Sequence, residues 1–243
     1  MAATGWQSPI IGVLGGFGPA ATVCYLDQLV RRTEASSDQG HIDAIISQHS
    51  TTPDRSTAIL KPDLAPELVA VLSADAVRLE AAGADLLVSP CNTVHAFWPI
   101  IEQAVSISCL SIVTTTVSQA LISAEGQPIA VLATEGTLAA GFYQQALKEA
   151  GGQTLALPPS LQLDVDRLIY SQAKAGAKID IDLFEACISS ALEAGAKAVI
   201  LACTELSVIY DRYQLQSRPE LIDSLSLLVL ATIEATGHKA KSD

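Results

Sequence analysis

The sequence has few positively charged residues and no long apolar run. Only 14 lysines and arginines stand against 26 aspartates and glutamates, which gives a net charge of −12. A nucleic-acid partner is not expected, because binding to a phosphate backbone depends on clustered cations. The longest apolar stretches, 198–203 and 225–232, are far shorter than the roughly 20 residues that cross a bilayer. We therefore expect a protein that binds neither nucleic acid nor membrane.

Cysteine is present, but it does not form the pattern of a disulfide framework. The five cysteines are odd in number and scattered through 243 residues, whereas disulfide scaffolds are short and have even counts. Residues 1–9 also lack the basic flank and the apolar run of a secretory signal. We expect reduced thiols and a cytoplasmic protein.

Short β-branched runs alternate along the chain with longer amphipathic stretches. The runs predict strands at 10–14, 44–47, 86–89, 107–112, 129–132 and 198–201. Apolar residues with a 3.6-residue period predict helices at 19–32, 65–82, 137–150, 180–194 and 223–235. This alternation predicts an α/β fold with mainly parallel sheets covered on both faces. In such sheets, chemistry gathers at the carboxyl ends of the strands.

The sequence also repeats parts of itself at long range. Gly-Ala at 83–84 precedes Cys-Asn-Thr at 91–93, and about 112 residues later Gly-Ala at 195–196 precedes Cys-Thr-Glu at 203–205. A similar echo links the segments that begin at Ile11 and Ile129. We expect two similar Rossmann-like lobes related by pseudo-two-fold symmetry, with the active site in the cleft between them. The predicted first lobe covers 1–117 joined by 221–243, and the second covers 118–220.

Two of the five cysteines stand out. Cys24, Cys109 and Cys187 lie inside apolar patterns, where a free cysteine usually acts as a small hydrophobe. Cys91 and Cys203 each follow a buried strand and precede residues that cap helices. A thiol at a helix N-terminus is expected to have a lowered pKa. A metal site is not expected, because the chain has neither a CxxC motif nor a nearby histidine pair.

Two thiols can serve as a nucleophile with a helper or as a pair of acid/base groups. His95, four residues after Cys91, is a nominal base for a nucleophile, but at that spacing it is better placed to pack or to cap. Opposed acid/base groups instead suit stereoinversion, in which one face loses a proton and the other receives one. Enantiomers have equal energy, so this reaction requires no cofactor.

An anionic substrate needs a few well-placed donors in so acidic a chain. Arg55 lies in a turn-forming segment, 52–56, where we expect it to be exposed and able to grip a carboxylate; a surface salt bridge is the alternative. Lys174 lies at a predicted helix end, where a lysine also simply complements the helix dipole. The glycine-rich segment 12–19 fits no nucleotide-binding motif. Its backbone, and that of the second lobe, can still donate N–H groups to a carboxylate; the candidates are Gly16, Gly18, Thr134, Gly136 and Thr137.

Taken together, the motifs resemble the aspartate racemases of the aspartate/glutamate racemase superfamily over nearly the whole chain. The matching segments are GGFGP at 15–19, PDR at 53–55, PCNTVH at 90–95, AT and GT at 133–137, ACTEL at 202–206 and LID at 221–223. Glutamate racemases of the superfamily typically open with Asp-Ser-Gly and follow the second cysteine with Thr-His. This chain has neither feature, which favours the aspartate branch.

The resemblance implies cofactor-independent racemization of an acidic amino acid, L-aspartate to D-aspartate, without pyridoxal phosphate. Cys91 and Cys203 are then the two catalytic bases, and Arg55 and Lys174 hold the substrate carboxylates. The resemblance also implies a homodimer. The remaining predicted substrate-binding residues are Asn92, Thr93, Thr134, Gly136, Thr137, Thr204, Glu205, Gly16 and Gly18.

Several alternatives remain open. Phe17 stands where the family commonly has methionine and His49 where it has asparagine, so glutamate or a β-substituted aspartate is a further candidate substrate. Maleate isomerases, arylmalonate decarboxylases and hydantoin racemases use related cysteine positions for other reactions. A non-catalytic amino-acid-binding protein, with purely structural cysteines, is the alternative from another functional class.

Overall fold

The computed structural model describes residue 6 and residues 9–241. The predicted first lobe also includes residues 1–5, 7–8 and 242–243, which lie outside the described residues. The strands are β1 Ile11–Gly15, β2 Ala44–Gln48, β3 Leu86–Val88, β4 Ser108–Leu110, β5 Ile129–Leu132, β6 Ala198–Leu201 and β7 Leu221–Asp223. The helices are α1 Pro19–Arg32, α2 Arg55–Leu60, α3 Ala65–Ala81, α4 Trp98–Ala104, α5 Ile112–Ala124, α6 Glu135–Ala140, α7 Phe142–Glu149, α8 Pro159–Asp166, α9 Ile181–Glu193, α10 Thr204–Arg212 and α11 Ser224–Ala235.

Two parallel sheets organise these elements. The first has the strand order β2-β1-β3-β4 and the second has the order β5-β6-β7. All strand pairs in both sheets are parallel. The two-lobed α/β fold with mainly parallel sheets is therefore confirmed. Because every strand runs in the same direction within its sheet, the strand ends that carry Cys91 and Cys203 each lie at a carboxyl edge.

The strands are buried on both faces because side chains alternate between two layers of helices. In β6, Ala198 and Ile200 join a central core shared with β1, β5, α1, α5 and α11. Val199 and Leu201 point the other way, into the outer core of the second lobe beneath α8 and α9. A separate outer core packs under α3 in the first lobe. The two sheets thus share one central core, which holds the lobes together.

The element bounds differ from expectation at a few positions. The helix predicted over 137–150 is two helices, α6 and α7, because Gly141 adopts φ 70° and ends the first one. The predicted strand over 107–112 shortens to β4, since Ile112 begins α5. The expected lobe boundary at 117/118 falls inside α5. The C-terminal segment first forms β7, which pairs with β6 in the second sheet, and then α11, which packs on α1 and α5.

Within the described residues, no helix combines the length and the apolar character required to span a membrane.

Candidate active site

Cys91 and Cys203 each follow an inner strand of a sheet, β3 and β6 respectively. Cys91 comes three residues after β3 and is 7% exposed, and Cys203 comes two residues after β6 and is 4% exposed. Both are free thiols. Cys187 is buried in the second lobe, while Cys24 and Cys109 are only partly covered. The structure therefore brings one buried thiol to the carboxyl edge of each sheet.

His95 holds the backbone of Cys91. Its Nδ1 donates to the carbonyl of Cys91 at 2.9 Å, and its Nε2 accepts from the backbone N–H of Ile112, the first residue of α5, at 3.3 Å. Burial lowers the pKa of His95 to about 4, which keeps the ring neutral, and the ring stacks on Trp98. Both ring nitrogens are occupied, so His95 caps α5 and does not act as a base for the Cys91 thiol. The sequence-based expectation that it packs or caps is confirmed.

Asn92 ties the Cys91 segment to the second lobe. Its Nδ2 donates to Ser224 Oγ at 2.9 Å, and its Oδ1 accepts from the Tyr143 hydroxyl at 2.6 Å. Ser224 in turn donates to the carbonyl of Leu201, at the end of β6. This buried chain of hydrogen bonds joins the residue after one cysteine to the strand before the other. The role of Asn92 as a substrate ligand stays a prediction.

Cys203 has a different environment. It is the N-cap residue of α10, and its thiol donates to Glu205 Oε2 at 3.0 Å. Burial and the Glu205 carboxylate raise the pKa of Cys203 well above its ordinary value, while Lys174 acts in the opposite direction. The expectation of a lowered pKa at this helix N-terminus is therefore wrong for Cys203, because desolvation and a neighbouring carboxylate outweigh the helix dipole. Thr204 is buried in the same turn.

Arg55 is a buried cation, contrary to the expected exposed loop residue. It is the first residue of α2 and is 7% exposed. Its Nη2 donates to the carbonyl of Phe17 at 2.7 Å and its Nη1 to the carbonyl of Pro53 at 3.2 Å, whereas its buried Nε has no partner. The neighbouring Asp54 carboxylate accepts from the N–H of Thr57, as the cap of α2.

No carboxylate in the described part of the chain lies within 4.0 Å of the Arg55 guanidinium. Carbonyl groups satisfy two of its nitrogens but do not balance its charge. Burying an unbalanced cation is costly. This position therefore favours an external anion, such as a carboxylate, that accepts from Nε.

Lys174 lies beyond a π-helical segment, Arg167–Ala173, that crosses toward the first lobe. Its Nζ lies 4.8 Å from the centre of the Tyr170 ring, and the Tyr170 hydroxyl donates to Ser56 Oγ at 3.2 Å. Partial burial lowers the pKa of Lys174, but Glu205, Cys203 and Tyr170 outweigh it and raise that pKa. Lys174 is thus a charged ammonium beside the Cys203 thiol. π-Helical segments are rare and often occur at functional sites.

Four buried hydroxyl groups meet where the lobes touch. Thr93 Oγ1 lies 3.0 Å from Thr137 Oγ1 and 3.4 Å from Thr134 Oγ1, and Ser56 donates to Thr134 at 3.3 Å. Gly136 permits this approach, because a Cβ there would lie 2.6 Å from the Cα of Ser56. Four of the predicted substrate ligands, Thr93, Thr134, Gly136 and Thr137, therefore converge at the contact between α2 and α6.

The glycine-rich loop reaches the second lobe through Gly18. Gly16 has φ 96°, and a Cβ on it would lie 2.3 Å from the backbone nitrogen of His49. Gly18 has φ 141°, and its Cβ would lie 3.0 Å from Glu205 Oε1. Only glycine fits both positions without strain, so the loop brings backbone close to the Glu205 carboxylate.

Sequence reasoning missed three residues of this site. Tyr170 is one helical turn before Lys174, and Ser56 follows Arg55, but their contact joins positions 114 residues apart. Tyr143 lies inside an amphipathic pattern that marks it as core. None of these contacts leaves a local signal in the sequence. In the described residues no group of three or more histidines, cysteines, aspartates or glutamates is arranged to hold a metal ion.

Comparison with known proteins adds independent findings. The family model described as Asp/Glu/Hydantoin racemase matches residues 14–232. The broad specificity amino-acid racemase RacX of Bacillus subtilis (strain 168) is 28% identical over 228 residues, covering 92% of this chain and 96% of that protein. The structure of the Picrophilus torridus aspartate racemase has a TM-score of 0.81 and 27% identity, covering 96% of both chains.

Glutamate racemases share the fold at lower similarity. The glutamate racemase of Francisella tularensis subsp. tularensis SCHU S4, solved in complex with D-glutamate, has a TM-score of 0.61 and 19% identity. The match covers 94% of this chain and 81% of the glutamate racemase. At this level of identity the likeness concerns the fold.

Proposed function

Because this chain belongs to the Asp/Glu/hydantoin racemase family and is an amino-acid racemase, we propose that it racemizes an acidic amino acid, aspartate first, by a two-base mechanism without a cofactor. The observation that carries this proposal is the pair of buried thiols at equivalent strand ends of the two lobes. Stereoinversion needs one acid/base group on each face of the α-carbon. Two matched strand ends supply such a pair.

The preference for an acidic substrate rests on Arg55. A buried guanidinium without a carboxylate partner is suited to a substrate carboxylate, which it binds as a planar fork. Lys174, on the other lobe, is the second cation available to a dicarboxylic acid. The hydroxyl groups of Thr93, Thr134 and Thr137 turn from one another to the substrate when it binds. Cys91, Cys203 and Arg55 are all buried, so substrate reaches them only when the groups that cover them move.

In the reaction, one cysteine is a thiolate and the other a thiol. The thiolate takes the α-proton, and the electron pair of the C–H bond remains on the substrate, where the cations and N–H donors stabilise it. The opposite thiol then gives its proton to the other face of the α-carbon. The thiolate and thiol have exchanged roles, and the product is the mirror image.

A broader substrate range is the second candidate. It is favoured by the relative from Bacillus subtilis, whose printed name describes broad specificity. In that case Arg55 binds the α-carboxylate common to all amino acids, and Lys174 contributes little to substrates without a second carboxylate.

The test is an incubation of the dialysed protein with single L-amino acids, both acidic and neutral, followed by chiral chromatography. We expect aspartate to approach equal amounts of both enantiomers without added pyridoxal phosphate, ATP or metal. The Cys91→Ser, Cys203→Ser double variant controls for contaminating racemases. Inversion of neutral amino acids at the same kcat/KM would favour the broad range. Activity that depends on added pyridoxal phosphate would contradict the mechanism.

A further inference from the structure

Glu205 is a buried carboxylate in contact with one cysteine of the pair. It is the second residue of α10 and is 7% exposed. Its Oε2 lies 3.0 Å from Cys203 Sγ, and its Oε1 faces Gly18 of the first lobe. A carboxylate offers only acceptors, so the hydrogen in this contact belongs to the thiol. The geometry is that of a protonated Cys203.

Ionisation of Cys203 would place two anions side by side. At 3.0 Å, a thiolate and a carboxylate repel each other, and burial leaves little water to screen them. Carboxyl groups ordinarily lose their proton several pH units below thiols. The shared proton therefore stays on sulfur, and Glu205 is the charged member of the pair.

Among the described residues, no carboxylate forms such a contact with the Cys91 thiol. The residue two positions after it is Thr93, whose hydroxyl contacts Thr137 and Thr134. A hydroxyl group carries no charge and can donate as well as accept. The two otherwise equivalent thiols thus differ by one buried carboxylate.

We propose that Glu205 is a positioning residue that holds Cys203 as the proton donor of the resting enzyme, which leaves Cys91 as the base that removes the first α-proton. This inference rests on the two-base function proposed above and reassigns Glu205, which the sequence analysis placed among the substrate ligands. The resting enzyme is then ready for the enantiomer whose α-hydrogen faces Cys91.

Lys174 has a second role, which follows from the negative charge left on Cys203 after it donates its proton. When the Cys203 S–H bond breaks, its proton moves to the α-carbon and the electron pair stays on sulfur, now beside the Glu205 carboxylate. The Lys174 ammonium is the cation that acts on both groups. It favours the thiolate that forms after proton donation, since it lowers the pKa of Cys203.

The other titratable groups that act on Cys203 are phenols. Tyr170 comes from the π-helical segment and Tyr143 from α7, and burial raises the pKa of both, above the ordinary range. Both phenols are therefore neutral at neutral pH. The carboxylate of Glu205 and the ammonium of Lys174 are therefore the two charges that set the state of Cys203.

The test is a pH titration of Cys203 in protein labelled with carbon-13 at the cysteine β-carbons, whose chemical shift reports the thiol and thiolate forms. The Cys203→Ser variant identifies the resonance. We expect the wild-type Cys203 to remain a thiol at neutral pH. In Glu205→Gln, its midpoint should fall by about one to three pH units, because a neutral amide replaces the carboxylate while Lys174 remains. Glu205→Asp should restore most of the wild-type midpoint.

Glu234→Gln is the matched control, since Glu234 is exposed on α11, and it should leave the titration unchanged. A wild-type Cys203 that is a thiolate at neutral pH would overturn the proposal, as would an unshifted midpoint in folded Glu205→Gln. If that variant does not fold, the wild-type midpoint decides the matter, because the proposal requires it to lie above the ordinary value of about 8.5, and a midpoint at or below that value would overturn it. No substrate is needed, so a failure of aspartate racemization leaves this result standing, and the reverse also holds.

Discussion

The two lobes have the same order of strands in their sheets, but the sheets differ at one edge. Strands β1, β3 and β4 of the first sheet correspond in order and direction to β5, β6 and β7 of the second. The first sheet adds β2 beside β1. At the same place in the second lobe there is only an isolated parallel bridge between Ile129 and Thr154. A strand in one lobe is thus reduced to a single bridge in the other.

This difference determines where each lobe carries its cation. In the first lobe the chain leaves β2 and reaches Arg55 at the start of α2, where the guanidinium is buried. In the second lobe the chain leaves the bridge, forms α8 and the π-helical segment, and reaches Lys174, whose side chain is exposed. Each lobe has one thiol and one cation near its sheet edge, but the cation of the first lobe is the more deeply buried.

The cysteines differ for a similar reason. Cys203 is the N-cap of the nine-residue helix α10, and its thiol contacts Glu205. Cys91 precedes only a short 3-10 turn, Thr93–Ala96, and its carbonyl accepts a hydrogen bond from His95. The position equivalent to His95 in the second lobe is Ser207. The repeat therefore fixes the place of each thiol, whereas the side chains around the two thiols differ.

Outside the cysteine pair, removal of Arg55 should have the largest effect on activity. Arg55→Ala leaves a substrate carboxylate unpaired in a buried site. We expect kcat/KM for aspartate to fall by an amount that corresponds to about 2 to 5 kcal/mol of activation free energy. Arg55→Lys should recover only part of this loss, since an ammonium lacks the planar fork. The melting temperature should change little, because the substitution also removes an unbalanced buried charge. Steady-state kinetics and thermal unfolding measure the two quantities.

Arg31→Ala is the control for this substitution. Arg31 is half exposed and bonded to Asp27 and Asp211, so its loss should leave kcat/KM unchanged. If Arg55→Ala retained wild-type kcat/KM, the buried cation of the first lobe would have no part in substrate binding.

The buried His95 should make the first lobe sensitive to acid. Its pKa is about 4 in the folded protein and about 6.5 in the unfolded chain. Below pH 6.5 the unfolded state binds a proton that the native state does not, so the free energy of unfolding falls as the pH falls. Between pH 7 and pH 5 we expect a loss of about 2 kcal/mol from this residue. Urea unfolding at several pH values measures it.

The matched variant is His95→Gln, which has no titrating ring. It should be less stable than wild type at pH 7, because the bonds to Cys91 and Ile112 are disturbed, but its stability should decrease less between pH 7 and pH 5. An identical decrease in both proteins would mean that His95 is not the acid-sensitive group.

Removal of Lys174 should have the smallest of these effects. Because its side chain is exposed, water weakens its interaction with a carboxylate, and we expect Lys174→Ala to reduce kcat/KM for aspartate about tenfold. Lys178→Ala, a nearby exposed lysine, should have no effect. A larger loss of kcat/KM in Lys174→Ala than in Arg55→Ala would mean that the cation of the second lobe contributes more to activity than that of the first.

Regular patterns made much of this fold predictable. The bounds of α1, β5 and β6 agree with those expected from the sequence, because α1 keeps a helical period and the two strands are short, continuous apolar runs. By contrast, α5 was not predicted, since its sequence is apolar on all sides and rich in β-branched threonine. The short strand β7 carries too few residues to show a period.

The charge states of the site were less predictable than its positions. The sequence selects Cys91, Cys203 and Arg55 as candidates, but it predicts an exposed Arg55 and a lowered pKa for Cys203, and the structure shows otherwise for both. Burial of Arg55 depends on Phe17, 38 positions away. The pKa of Cys203 depends on how deeply α10 is packed, and on which way the side chain of Glu205 turns. Such properties arise from packing between distant segments.

If the two cysteines act on opposite faces of the substrate, as proposed, α-proton exchange in deuterium oxide should reveal it. Cys91→Ser and Cys203→Ser are each incubated with L-aspartate and with D-aspartate, and deuterium at the α-carbon is followed by proton NMR. We predict that racemization falls by orders of magnitude in both variants. Each should still exchange one enantiomer slowly, and the two variants should exchange different ones. Exchange of the same enantiomer by both variants, or near wild-type racemization by either, would contradict the account.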